Sequence, residues 1–203
     1  MSSVSVSHIL RLGAALCLLF GLQQLGGAAL IKAKAALAPV LIDDAWERVL
    51  AAGGGVHRPW PWADTWPVAR LRFPAEGVEL PVLHGDGGNS LAFAPGRALA
   101  SAPFGTEGVS VIGGHRDTHF AFLEHVTRGD TVELQLRSGE WRRYRVREVR
   151  IADAARETLS GSDTHEELML VTCYPFDALA AGGPLRYVVS ARPLASSARI
   201  FEI

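Results

Sequence analysis

Between Val68 and Ala191 the chain is divided into short apolar, β-branched runs, each closed by a turn signal. The runs are Val68 to Phe73, Val78 to Val82, Val109 to Gly114, Thr131 to Arg137, Glu140 to Ile151, Leu168 to Cys173 and Leu185 to Ala191. Gly85-Asp86-Gly87-Gly88, Gly129-Asp130, Ser138-Gly139 and Gly182-Gly183 punctuate them. Seven or eight short strands with little helix between them leave a closed barrel or a sandwich as the architecture. Thr131 to Leu136 alternates, with Val132, Leu134 and Leu136 against Glu133 and Gln135, which predicts a half-buried strand turned tightly into the next. Within this region only Thr118 to Val126 reads as helical, about two turns. The 203 residues are enough for one domain with a full core and an appendage, and 48% hydrophobic with 20% charged residues is a globular balance. A net charge of -1 argues against a general nucleic-acid binder.

The appendage is N-terminal. Leu12 to Ile31 runs LGAALCLLFGLQQLGGAALI, broken only by Gln23 and Gln24, about the length that crosses a bilayer core. Arg11 flanks one end, Lys32 and Lys34 the other. A cleaved signal peptide is the competing reading, because Leu25 to Ala29 is rich in small residues. The run is long for a signal sequence and continues into the helical-looking Ala33 to Ala52, so an uncleaved anchor is expected. Flanking charge does not decide its orientation. Gly53-Gly54-Gly55 ends the helix, and Pro59 to Pro67, carrying Trp60, Trp62 and Trp66, reads as an extended lead-in. The expected division is 1–52 anchor and helical extension, 53–67 linker, 68–203 β-rich domain.

Three stretches could carry chemistry. In Leu168-Met169-Leu170-Val171-Thr172-Cys173-Tyr174-Pro175 a buried-type strand delivers a cysteine to its end. The other cysteine, Cys17, falls in the expected span, so Cys173 is expected to be an unpaired thiol. In Val111 to Phe120 a strand ends in Gly113-Gly114, and His115 follows. His115 and His119 have the i, i+4 spacing of a zinc helix, but Arg116 stands where that motif has its glutamate and the glycines place His115 at a strand end. Zinc hydrolysis is therefore rejected. In Gly182 to Val189, Arg186 opens a strand and either faces solvent or lines the cavity of Cys173. Taken singly, each residue has a bland reading: a hydrogen-bonded histidine, a solvated arginine. The five arginines among Arg142 to Arg150 read as a solvated strand face, and Gly85 to Asn89 reads as a loop or hairpin, since no helix with a lysine follows.

Together, GGHRDTHF, LVTCYPFDAL and GGPLRYVV resemble the three active-site segments of sortases, in family order, and their wording is similar to that of the Gram-negative class GN. The resemblance runs from about Val68 to Pro193. The family's Thr-Leu-x-Thr-Cys is met by Leu170, Thr172 and Cys173, with Met169 in place of the first threonine. The resemblance implies an all-β, closed eight-stranded barrel with short helices behind an N-terminal transmembrane helix. It implies a cysteine transpeptidase held in the inner membrane by a single span, its catalytic domain in the periplasm. Cys173 would be the nucleophile on a Leu-Pro-x-Thr-Gly-like signal at the C-terminus of a substrate protein. His115 would be the proton donor and acceptor, and Arg186 would stabilise the oxyanion. An amine would accept the acyl group, and no cofactor, metal or nucleic acid is called for. A hydrolytic cysteine peptidase and a non-catalytic, membrane-tethered peptide-binding barrel are the alternatives. The Ser-His-Gly-Cys signature of L,D-transpeptidases is missing.

Overall fold

The computed structural model describes residues 6–158, 164–178 and 182–194. By internal contacts the chain forms two units, Met1–Val40 and Leu41–Ile203. Helix α1 (Val6–Ala51) begins in the first and ends in the second. In the first unit its large apolar side chains, from Leu10 to Leu37, are exposed. Among the described residues α1 is the one helix long and apolar enough to cross a membrane.

The second unit is an eight-stranded closed barrel. Its strands are β1 (Pro67–Phe73), β2 (Val78–His84), β3 (Gly96–Arg97), β4 (Gly108–Gly113), β5 (Thr131–Gln135), β6 (Trp141–Asp153), β7 (Glu166–Cys173) and β8 (Leu185–Pro193). They close in the order β1-β2-β3-β4-β7-β8-β6-β5. Pairing is antiparallel except at β2/β3 and β4/β7. Closure leaves no free sheet edge, which is how an all-β domain avoids edge-to-edge association. Inward-facing Leu71, Ile112, Leu134, Leu168, Leu170 and Val189 fill the interior with their neighbours. The expected alternation of the fifth strand holds: Val132 and Leu134 are buried, and Leu136 N–H donates to Glu140 to close the hairpin into β6.

Two local expectations are corrected. Thr118 to Val126 is not two α-helical turns but a 3₁₀ segment over Ala121–His125. Phe120, Leu123 and Val126, all buried, recur every third residue, the repeat of a 3₁₀ helix, whose side chains eclipse at i and i+3. The loop after β2 holds a one-turn helix α2 (Gly88–Leu91) and then β3, which no sequence period announced. At two residues, β3 is too short to show one, and it depends on a glycine: a Cβ on Gly96 would lie 2.0 Å from the Gly85 carbonyl oxygen.

The end of α1 belongs to the barrel unit. Trp46 is buried and donates its indole N–H to Gln135 at 3.1 Å. Ile42 packs with Leu83, Ala94 and Trp60. In the proline-rich lead-in, Trp66 stacks on His84 at 4.1 Å, whereas Trp62 stays exposed.

Candidate active site

β7 is the axis of the site. Its even residues Leu168 and Leu170 face the barrel interior, so Met169, Val171 and Cys173 lie on the opposite, outer face. There Met169 packs with Ala152 and Val188, bordered by Val109, Val111 and Val171, giving an apolar floor that leads along the strand to the half-buried thiol.

On one side stands β8. Cys173 pairs with Arg186, and the next pair is bonded through Tyr174 N–H to Leu185 carbonyl at 3.1 Å. Cys173/Arg186 is therefore a non-hydrogen-bonded pair, the kind that brings opposed side chains closest on one face. The Arg186 guanidinium donates from Nη1 to the Gly183 and Leu185 carbonyls at 2.7 and 2.9 Å. Its other donors carry no protein contact among the described residues.

On the other side stands β4, parallel to β7 with Gly113 beside Val171. Gly114 N–H continues this ladder to Val171 carbonyl at 3.1 Å, and Thr172 Oγ1 donates back to Gly114 carbonyl at 2.8 Å. The paired register ends with Gly113 beside Val171, and His115, exposed, follows two residues past the end of β4. This sets a row of three adjoining strand ends, ~4.8 Å apart, in which Arg186 near the start of β8 pairs with Cys173 at the end of β7, and His115 follows the end of β4. Pairing across 58 residues of sequence separation produces this row.

The His115 segment is pinned in turn. Phe120 N–H donates to His115 carbonyl at 3.0 Å, folding the chain back, and the buried Phe120 ring lies against Gly114. His119 is thereby brought near His115, ring centroids 6.1 Å apart. Burial, and then the neighbouring His115, lower the His119 pKa, only partly offset by a bond to the Phe93 backbone. No group of three metal-ligating side chains occurs among the described residues.

A sortase-domain family model matches residues 71–194, more than half of the chain. The chain belongs to the sortase family. Sortase D of Bacillus subtilis (strain 168) is 32% identical to it over 120 residues, which are 59% of this chain and 60% of that protein. This sortase therefore spans about 60% of the length of that curated relative. Its fold resembles sortase A from Corynebacterium diphtheriae, with a TM-score of 0.59 and 21% identity over 80% of this chain and 88% of the other. It also resembles a Clostridium perfringens sortase D5 transpeptidase, with a TM-score of 0.62 and 16% identity over 78% and 99%. The eight-stranded barrel is of the sortase type.

Two residues of this sortase's site escaped the sequence reading. Arg116 figured there only as the residue that spoils a zinc motif, and Asp117 only within the GGHRDTHF stretch. They form an in-line pair, Arg116 Nε to Asp117 Oδ1 at 2.7 Å. The bond to Arg116, then the charges of Arg116 and His115, hold the Asp117 carboxyl below its usual pKa against the effect of burial. An arginine and an aspartate directly after the histidine were a visible signal; that the arginine is buried was not.

Proposed function

We propose that this sortase is a cysteine transpeptidase of the class GN kind, anchored in the inner membrane by α1 with its barrel on the periplasmic side. The observation that supports this chemistry is the pairing of Cys173 with Arg186 across β7 and β8, beside the parallel β4 whose end leads into His115. The Cys173 thiolate attacks the carbonyl between Thr and Gly of a Leu-Pro-x-Thr-Gly-like signal. Arg186 turns its free donors to the developing oxyanion, a contribution commonly worth ~3–4 kcal/mol. As the C–N bond breaks, His115 gives its proton to the leaving amine, and a thioester to Cys173 remains. An incoming amine attacks that thioester, passes a proton to His115 and leaves with the acyl group in a new amide. Thiolate and imidazolium are restored. A thiolate is both a good nucleophile and a good leaving group, so the intermediate stays reactive towards amines.

The test is to incubate the full chain with sorting-signal peptides, with and without an added amine, and to follow acyl-enzyme and products by mass. A thioacyl adduct on Cys173, absent in Cys173→Ser, and an amine-dependent amide product are expected. An adduct on another residue would overturn the assignment of Cys173. Release of free acid at a rate indifferent to amine would make the enzyme a hydrolase.

A further inference from the structure

Arg116 is 7% exposed, and a guanidinium taken from water to that extent is costly unless its donors are bonded. Here they are. Nη1 donates to the Pro175 carbonyl at 2.6 Å, and Nη2 to the Ala178 carbonyl at 2.9 Å. Nε and Nη2 engage the two Asp117 carboxylate oxygens at 2.7 and 3.3 Å. The two carbonyls belong to the turn that begins two residues after Cys173 and lies 59 and 62 residues from Arg116 along the chain. Arg116 itself directly follows His115. One planar fork therefore joins the backbone carrying the imidazole to the backbone leaving the thiol, at the point where β4 and β7 have run out of ladder.

Resting on the reading of Cys173 and His115 as the reactive pair, we propose that Arg116 is a positioning residue for that pair, clamping the Pro175–Ala178 turn to the His115 segment so that thiol and imidazole share one proton. β4 and β7 align the two residues only as far as the Gly114–Val171 bond. Beyond it no backbone bond joins the two segments among the described residues, and without a tie His115, which is solvent-exposed, is free to swing from Cys173. Asp117 completes the device by neutralising the buried guanidinium through both of its carboxylate oxygens. The charged and titratable groups around the thiol are His115 after β4, Arg116 and Asp117 in the loop, Asp177 and Tyr174 in the following turn, and Arg186 on β8.

The experiment follows Cys173 alkylation by iodoacetamide against pH in the full chain in detergent micelles, with Cys17→Ser as background. No peptide substrate is needed, so a chain that cleaves no sorting signal still answers the question. His115→Ala is expected to raise the alkylation midpoint by about one unit or more, by removing the imidazolium. Arg116→Gln should raise it comparably, and the double variant should move no further, because both remove one shared pairing. Arg116→Lys, which keeps the charge but cannot bridge both carbonyls, should shift the midpoint as well. It also decides the matter if Arg116→Gln does not fold. An unchanged midpoint in both Arg116 variants would overturn the proposal. So would a shift that adds fully to that of His115→Ala, or one that Arg116→Lys restores to the parent value, since Arg116 would then act by charge alone.

Discussion

Gly114 stands where a methyl group has no room. A Cβ there would lie 2.7 to 2.9 Å from the ring of Phe120, which is fully buried and cannot retreat. Gly114→Ala is expected to cost ~1–3 kcal/mol, the usual penalty of overpacking a core, as measured by chemical denaturation. The ladder at Gly114 also carries His115, so Cys173 acylation should fall further than the stability loss explains. Burst kinetics on a folded sample separates the two effects. At this scale the residue types were legible: a thiol ending an apolar strand, a histidine after two glycines, an arginine opening another strand. The buried state of Arg116 was not, because burial of that side chain is created by a turn 59 residues downstream. Met169, in place of a threonine, proves to be part of the apolar floor, packed with Ala152 and Val188.

Among the elements, the end of α1 belongs to the barrel unit. Ile42, Ala45, Trp46 and Val49 are all buried, and losing a buried tryptophan alone costs ~3–5 kcal/mol. A soluble form beginning at Leu41 should unfold cooperatively with a native melting point. One beginning at Gly53 should melt lower by more than 10 °C or fail to fold, given total stabilities of ~5–15 kcal/mol. Thermal melts followed by near-ultraviolet dichroism check this. Sequence reading found α1, because a long apolar run is a strong signal. It missed β3, because two residues carry no period, and it took Thr118 to Val126 for two helical turns, because over so few residues a repeat of three resembles one of 3.6.

In the molecule as a whole, acidification has two burdens to act on. Burial, then Arg97 and Arg137, lower the His84 pKa; burial, then His115, lowers that of His119. Both histidines take up protons less readily folded than unfolded, so between their depressed pKa values and the ordinary 6.5 the unfolded chain binds more protons and stability rises with pH. The melting temperature is expected to be higher at pH 7.5 than at pH ~5.5, and His119→Gln should flatten that slope; an unchanged slope would remove His119 from the account. Barrel or sandwich was as far as strand patterns could reach. The parallel alignment of β4 with β7 is set by non-local pairing that no local pattern encodes. Another feature of that wiring concerns time. β8, last of the eight strands to be synthesised, does not lie at a margin but slots between the 13 residues of β6 and the 8 of β7. Until it arrives, two long flanks stand open and Cys173 has no Arg186 opposite it. A nascent chain that has not yet delivered β8 thus carries Cys173 without its β8 neighbour, and that pairing is made only when the cylinder shuts.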